Sequence, residues 1–307
     1  MPQGIKNQGE KCVPSHHSFA GNVLVDHRLE LGEGPVYDRQ SDTLWWFDIL
    51  GKALWSLELA TNTATRHDLP FMGSVLAVID ENRQLIASDT GLFLRDRASG
   101  ALTPFAELEP DRPGNRSNDG RVHPSGALWI GTMGKTAADG AGAIYHVAGN
   151  KVTRIFDKIS IPNSICFSPD GKIGYFVDSK VNKLMRVDVD AETGLPTGTP
   201  SVLIDGTDRE GVFDGSVVDA EGTIWNARWD GGAVDRYDAE GRHIARYEMP
   251  AKRVTCPAFF GPDADRLMVT SCWEGLDDSA RNADALCGAT FELGVTVKGQ
   301  HAPRFRL

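Results

Sequence analysis

Three residues that lie far apart in the chain carry side chains able to bind a hard metal ion. Glu33 and Asp214 supply carboxylate oxygens, and Asn163 supplies an amide carbonyl oxygen. Oxygen donors of this kind suit Ca²⁺, Mg²⁺ or Mn²⁺, and Zn²⁺ also accepts carboxylate oxygen. Because three protein ligands leave coordination positions open for water and substrate, the set is typical of a catalytic metal. The fold must bring the three residues together for this chemistry.

All three residues occupy the same place in a sequence pattern that returns six times. Each copy is followed, 10 or 11 residues after its first position, by an apolar residue that opens a second strand. The first positions are Glu33, Val75, Asn118, Asn163, Asp214 and Cys256. Taken singly, Asn163 is an ordinary turn residue and Glu33 a solvated carboxylate. Four oxygen donors among six equivalent positions favour ligands over a purely structural ring.

The spacing of the six segments predicts a β-propeller. Successive segments start 42, 43, 45, 51 and 42 residues apart, and a repeat in this range made of short strands and turns is typical of propeller blades. Equivalent positions then lie on one ring around a central channel. Residues 19–31 form a strand-like run before the first repeat, and we expect them to supply the outer strand of the last blade. The predicted fold is all-β, a six-bladed propeller closed by this N-terminal strand.

Length and composition indicate one soluble domain. The 307-residue chain has no linker rich in Pro, Gly or Ser, so we assign 19–307 to a single propeller and 1–18 to a flexible N-terminal extension. A net charge of −10 disfavours nucleic acid and anionic membranes as partners. There is no apolar run of membrane-span length and no signal-peptide core. The five cysteines have irregular spacing without a CxxC pair, which indicates reduced thiols and a cytoplasmic location.

Two further polar residues are candidates for substrate contacts. Asn118 shares the ring position and could bind the metal indirectly or hold a substrate hydroxyl. Arg116 lies two residues earlier, where its guanidinium could hold a carbonyl or hydroxyl oxygen or form a salt bridge with Asp119. We expect His123 to be structural, and Cys256 to be a wall residue because the sequence supplies no base to activate it.

Aspartate recurs at the ends of the predicted second strands, in WWFD, IASD and YFVD. The three residues are Asp48, Asp89 and Asp178. Their repetition from blade to blade indicates structural hydrogen bonds rather than a role in chemistry.

The motifs as a set resemble those of the senescence-marker, gluconolactonase and luciferin-regenerating family, which includes regucalcin. The resemblance covers about residues 20–300. The stretches that carry it are LGEGPVYD (31–38), RSNDGRVHPSGALWIGTM (116–133), IPNSICFSPDGKIGYFVDS (161–179), FDGSVVDAEGTIWNARWDGGAVDRYD (213–238) and VTCPAFFGPDADRLMVTS (254–271). The resemblance implies a six-bladed propeller with one divalent metal in the channel, and hydrolysis of sugar lactones, which many members perform.

The same resemblance implies roles for particular residues. Glu33, Asn163 and Asp214 match the family's metal ligands, Asp214 also matches its proposed general base, and Arg116 and Asn118 match residues that contact substrate.

The chain also departs from the family pattern at three places. Gly134-Lys135-Thr136 follows the GTM motif, where some animal members carry acidic residues. His123 replaces a frequent aspartate, and Ser164 follows Asn163 where glycine is typical.

The sequence therefore predicts metal-dependent hydrolysis of a small sugar lactone of the aldonolactone or gluconolactone type. The cation would polarise the ring carbonyl and stabilise the oxyanion, and Asp214 would take a proton from water. Calcium is the preferred ion, with Mg²⁺, Mn²⁺ and Zn²⁺ open. The alternatives are another ester or organophosphate hydrolase on the same site, a non-catalytic calcium-binding protein, and a scaffold that uses the propeller face. We expect a monomer or weak homodimer that takes a small-molecule substrate.

Overall fold

The computed structural model describes residues 13–307, and almost every regular element within them is a β-strand. Ahead of the first repeat lie β1 (Ser15–His17) and β2 (Asn22–Val25). The first three repeats form β3 (Gly32–Asp38), β4 (Thr43–Asp48), β5 (Ala53–Glu58), β6 (Thr63–Asp68), β7 (Gly73–Val78), β8 (Arg83–Ser88), β9 (Gly91–Asp96), β10 (Leu102–Ala106), β11 (Asn115–Val122), β12 (Leu128–Gly134), β13 (Gly142–Ala148) and β14 (Lys151–Ile159).

The last three repeats complete the chain. They form β15 (Pro162–Phe167), β16 (Ile173–Asp178), β17 (Lys183–Asp188), β18 (Ser201–Asp205), β19 (Val212–Val218), β20 (Ile224–Trp229), β21 (Ala233–Tyr237), β22 (His243–Glu248), β23 (Val254–Phe260), β24 (Arg266–Ser271), the short helix α1 (Asp278–Ala283) and β25 (Thr290–Glu292).

These strands form six sheets, which are the blades of a propeller. Within each repeat the strands pair in chain order, antiparallel to their neighbours. The first strands of the blades are β3, β7, β11, β15, β19 and β23. Each contacts the next, and β23 contacts β3, so the ring is closed. The prediction of an all-β, six-bladed propeller is confirmed.

Burial falls from the channel outward. Every residue of β7 is buried, whereas β6, the outer strand of the first blade, contains no buried residue. Large aromatic side chains in second strands fill the space between blades: Trp46 is 0%, Trp129 0% and Trp225 2% exposed. Close packing of such side chains removes apolar area from water and fixes the distance between adjacent blades.

The recurring aspartates at the ends of second strands have structural roles, as predicted. The Oδ1 atom of Asp48 accepts a hydrogen bond from the Leu31 N–H at 3.0 Å. Asp178 Oδ1 accepts a hydrogen bond from the Ile161 N–H at 3.1 Å, and Asp89 Oδ1 accepts one from the Met72 N–H at 3.0 Å. Each carboxylate thus ties the segment that enters a first strand to the end of the second strand.

The N-terminal strand closes the ring. β2 pairs antiparallel with β25, giving the last blade the order β2-β25-β24-β23. Phe19, which precedes β2, packs edge-on against Phe291 with ring centroids 5.9 Å apart. The predicted outer strand of the last blade is confirmed.

A second N-terminal strand differs from the prediction. β1 pairs parallel with β22 and gives the fifth blade an additional outer strand. Residues 15–17 therefore differ from the predicted flexible extension over 1–18, because their backbone groups find partners on the otherwise open edge of β22. Residues 1–12 lie outside the described part of the chain, and the 19–307 domain boundary stays a prediction.

Replacing Phe291 by Ala should weaken the closing blade. Phe291 is 0% exposed in the core between the last two blades. Removing its ring should cost about 3–5 kcal/mol of unfolding free energy, measured by urea denaturation. Val202→Ala, at a side chain that is 50% exposed, is the matched control and should cost less than about 0.5 kcal/mol. A loss for Phe291→Ala as small as the control's would contradict this account of closure.

Candidate functional site

Each first strand shifts its register with the second strand at the ring position. The shifts lie between Glu33 and Val36, Gly73 and Val75, Ser117 and Gly120, Asn163 and Cys166, Phe213 and Ser216, and Val254 and Pro257. A β-bulge bends its strand and re-aims side chains. The repeated bulges therefore explain how residues from different blades point into one channel.

Two bulges place a residue in the left-handed backbone region. Gly34 has φ +57°, and a Cβ there would meet the Ser74 carbonyl oxygen at 2.1 Å, so only glycine fits. Ser164 has φ +55° without being glycine. Its buried hydroxyl donates to the Asp214 carbonyl oxygen and lies 3.0 Å from the Ser216 hydroxyl. These contacts offset the strain of the serine and join the Asn163 bulge to the Asp214 bulge.

The structure brings all five predicted site residues into one cavity of about 350 Å³. The five are Glu33, Arg116, Asn118, Asn163 and Asp214, and each is at most 8% exposed. The remaining wall is mostly apolar and includes Leu31, Met133, Ile161, Val212 and Trp229. The cavity therefore has the size and lining of a site for a small molecule.

A chain of hydrogen bonds sets the orientation of the two amides. Arg116 Nη1 donates to Asn118 Oδ1 at 2.7 Å, and Asn118 Nδ2 donates to Asn163 Oδ1 at 2.8 Å. Asn163 Nδ2 donates to Ser179 Oγ at 3.0 Å. Ser179 in turn donates to the Phe213 carbonyl oxygen at 2.7 Å, next to Asp214. The Asn163 carbonyl oxygen is thus fixed on the side of Asn118.

The two carboxylates have few partners of their own. Glu33 accepts one hydrogen bond, from the Gly34 N–H at 3.0 Å, and the Asp214 carboxylate accepts none from residues 13–307. Burial, with repulsion from Asp119, raises the pKa of Glu33 to about 8. Burial, with repulsion from Glu33, also raises the pKa of Asp214. Two such carboxylates in one channel repel each other unless a cation lies between them.

The donor set fits a hard divalent cation. Glu33 and Asp214 provide unpaired carboxylate oxygens, and Asn163 provides an amide oxygen with a fixed direction. Among residues 13–307 no three His, Cys, Asp or Glu side chains form a group that could hold a metal. A cation at the ring therefore requires the amide oxygen in addition to the two carboxylates.

The other sequence candidates have structural surroundings. Arg116 does not pair with Asp119, whose carboxylate accepts the Ile165 N–H at 2.7 Å and the Gly120 N–H at 2.8 Å. His123 is 0% exposed, with Nε2 2.8 Å from the Gly171 carbonyl oxygen. Both are held in place by backbone groups, which agrees with a structural role for His123.

Cys256 lies buried in the channel wall, and burial raises the pKa of its thiol well above the usual value. It therefore lacks the thiolate that a nucleophile needs. The described thiols Cys166, Cys256, Cys272 and Cys287 are free, and Cys12 lies outside the described residues.

Sequence reasoning missed Arg121, which crosses the channel beyond the ring residues. From the third blade it donates to the Pro35 carbonyl oxygen at 3.4 Å, the Ser216 carbonyl oxygen at 3.2 Å and the Cys256 thiol at 3.6 Å. These partners belong to three other blades. Burial raises the pKa of Asp119, and the positive charge of Arg121 opposes that rise. A basic residue three positions after Asn118, on a strand already known to line the channel, was the available signal.

Arg121→Met should destabilise the ring. The substitution removes three contacts between blades and the cation that favours the charged form of the buried Asp119. We therefore expect a loss of about 1–3 kcal/mol in unfolding free energy. Urea denaturation measures it. Arg66→Met, at a side chain 51% exposed, is the control and should change stability by less than about 0.5 kcal/mol. Equal effects of the two substitutions would show that Arg121 does not join the blades.

The fold and the cavity define a six-bladed propeller with an oxygen-lined central site. The profile of the SMP-30/Gluconolactonase/LRE-like region matches residues 31–273, which is most of the chain. The chain belongs to this family, and the resemblance seen in its motifs is confirmed.

A solved structure and two named relatives agree with this assignment. A calcium-binding protein, regucalcin, from Agrobacterium tumefaciens is 64% identical, with a TM-score of 0.95 over 96% of this chain and 100% of that one. A Rhizobium meliloti (strain 1021) protein that bears the name "Putative sugar lactone lactonase" is 57% identical over 94% of this chain and 98% of its own length. The L-arabinolactonase of Azospirillum brasilense is 33% identical over 94% of this chain and 97% of its own length. Among residues 13–307 no helix is long and apolar enough to cross a membrane.

Proposed function

We propose that this protein is a divalent-cation-dependent lactonase that opens a small sugar lactone. The observation that carries the proposal is the convergence of Glu33, Asn163 and Asp214 in one cavity with Arg116 and Asn118. Two carboxylates that repel each other and a cationic guanidinium surround a cavity that is large enough for a small molecule. The names of the Rhizobium and Azospirillum relatives support a lactone as the substrate.

Glu33, Asn163 and Asp214 would hold the cation; three oxygen donors suit Ca²⁺, Mg²⁺ and Mn²⁺ alike. When bound, it would supply Lewis-acid polarisation of the lactone carbonyl and stabilisation of negative charge on its oxygen. The regucalcin name of the Agrobacterium relative supports the choice of calcium.

The chain's own residues have distinct tasks in this reaction. Arg116 uses only Nη1 for its contacts with Ser117 and Asn118, so its other guanidinium N–H groups can hold substrate oxygens. Asn118, on the same strand as Arg116, orients the substrate beside it. The Asp214 carboxylate, free of hydrogen bonds from residues 13–307, takes a proton from the water whose oxygen bonds to the lactone carbonyl carbon. The same proton then passes to the ring oxygen as its bond to that carbon breaks, which leaves a hydroxyl and a carboxylic acid.

A second candidate is calcium binding without turnover, which the name of the Agrobacterium relative favours. It would use the same ligands and show no hydrolysis of any lactone. Hydrolysis of another ester or an organophosphate on the same site is a third possibility, for which the apolar part of the wall leaves room. We also propose a cytoplasmic location, and a monomeric or weakly dimeric state.

Metal-stripped protein should release acid from an aldonolactone only after a divalent cation is restored. The assay follows proton release from a panel of aldono-1,4- and 1,5-lactones with Ca²⁺, Mg²⁺, Mn²⁺ or Zn²⁺ added in turn. Asp214→Asn should lower kcat at least about 100-fold, because it removes both a ligand charge and the base. Glu240→Gln, at a side chain 70% exposed, is the matched control and should leave the rate unchanged.

The outcomes separate the candidates. Full activity of Asp214→Asn would exclude the proposed mechanism. Calcium binding by calorimetry without acid release from any lactone would favour the calcium-binding candidate, and activity confined to other esters would favour the third.

Ser179→Ala should weaken cation binding without unfolding the protein. Ser179 fixes which end of the Asn163 amide faces the ring centre, and loss of a group that orients a ligand typically lowers metal affinity about 10- to 100-fold. Calorimetric titration with Ca²⁺ measures the effect. Ser56→Ala removes another buried hydroxyl, one that bonds His67 in the first blade, and should bind Ca²⁺ like the parent. Unchanged affinity in Ser179→Ala would remove Asn163 from the ligand set.

A further inference from the structure

One carboxylate at the rim of the cavity has no assigned task. Glu274 lies in the loop after β24 and lines the same cavity as Glu33, Arg116 and Asp214. Its carboxylate makes no hydrogen bond or ion pair with any of residues 13–307. An unpaired charged acceptor facing a small-molecule cavity is a strong partner for a hydroxyl donor.

The backbone of this loop is held on both sides of the Glu274 Cα. The Glu274 N–H donates to the Glu30 carbonyl oxygen at 2.9 Å, and its carbonyl oxygen accepts from Arg253 Nη1. Arg253 is itself fixed, since its Nε lies 2.8 Å from the Asp230 carboxylate and its guanidinium lies 5.3 Å from the Trp229 ring centroid. The loop is therefore positioned, while the side chain of Glu274 stays available.

Glu274 also acts on the charges of the site. Its charge is the one that most favours the protonated Arg116 guanidinium, ahead of those of Glu33 and Asp214. The guanidinium and the carboxylate therefore form a donor and an acceptor that share one cavity. Asp89, another carboxylate whose charge acts on Arg116, is already paired with Lys135 at 2.8 Å.

We propose that Glu274 determines substrate specificity by accepting a hydrogen bond from a ring or side-chain hydroxyl of a polyhydroxylated lactone. This rests on the proposed lactonase function. Because the carboxylate can only accept, it selects a hydroxyl donor over a hydrogen or a methyl group at the contacted carbon. Arg116 holds an oxygen of the same substrate, so the two residues fix its orientation in the cavity.

The test compares Glu274→Gln with the parent on one hydroxylated aldono-1,4-lactone and its full set of monodeoxy analogues. The amide keeps the shape of the side chain and loses the charge. On the lactone that keeps all its hydroxyls, we expect the kcat/KM of Glu274→Gln to be about 10- to 100-fold lower than that of the parent protein, mainly because KM rises. This is the range for a hydrogen bond to a charged group. For one deoxy analogue, which lacks the contacted hydroxyl, the variant and the parent protein should have equal kcat/KM. Glu240→Gln is again the control, and the melting temperature of Glu274→Gln should be unchanged.

Each other outcome overturns the proposal in a distinguishable way. An equal fall of kcat/KM on every analogue would show a general electrostatic effect without hydroxyl recognition. No fall on any lactone, with an active parent protein, would remove Glu274 from substrate binding and leave the lactonase function intact. A parent protein that opens no lactone with any of the four cations would overturn both.

Discussion

The pairing of β2 with β25 is the interaction on which the channel depends. A propeller blade cannot bury both faces alone, and an open ring would expose a sheet edge and the apolar surface between its first and last blades. Closing the last blade with a strand from the start of the chain links the two ends. The channel then has walls on all sides, and Glu33 and Asp214 meet although 181 positions separate them.

Within that channel the charges are arranged in layers. Glu33 and Asp214 lie at the ring with Arg116 beside them, and Asp119 and Arg121 follow in the direction of the strands. Desolvation raises the pKa of the buried carboxylates, while the two guanidinium groups oppose that effect for Glu33. The cations offset part of the buried negative charge, and the remaining repulsion is what a divalent ion would relieve.

Much of the fold was predictable because its cause is periodic. The repeated apolar segments and turns predicted the number of blades, the first strands and the closing strand. The shared register predicted that four site residues lie together, and Arg116 followed from its place two residues before Asn118. The bulges were not predictable, because first strands such as β7, β15 and β23 are buried on both faces. Their sequences have no alternation of apolar and polar residues that an extra residue would interrupt. Nothing in the residue types showed that Ser164 would adopt a left-handed backbone. Arg121 was missed because strand alternation does not tell which side chains extend along a channel. The strand β1 was missed because its three exposed residues have no pattern that identifies a parallel partner.

The ring residues and Glu274 are held in place in different ways, and this difference bears on how such a site changes. Glu33, Asn163 and Asp214 sit on first strands, where bulges, neighbouring blades and the Ser164 and Ser179 hydroxyls fix them from several directions. Glu274 belongs to a loop fixed by two backbone contacts, outside the repeating pattern. A substitution at the ring disturbs several blades at once, whereas a substitution in the loop changes one wall of the cavity. Selectivity for a substrate can therefore vary at the rim while the oxygen donors at the ring keep their positions.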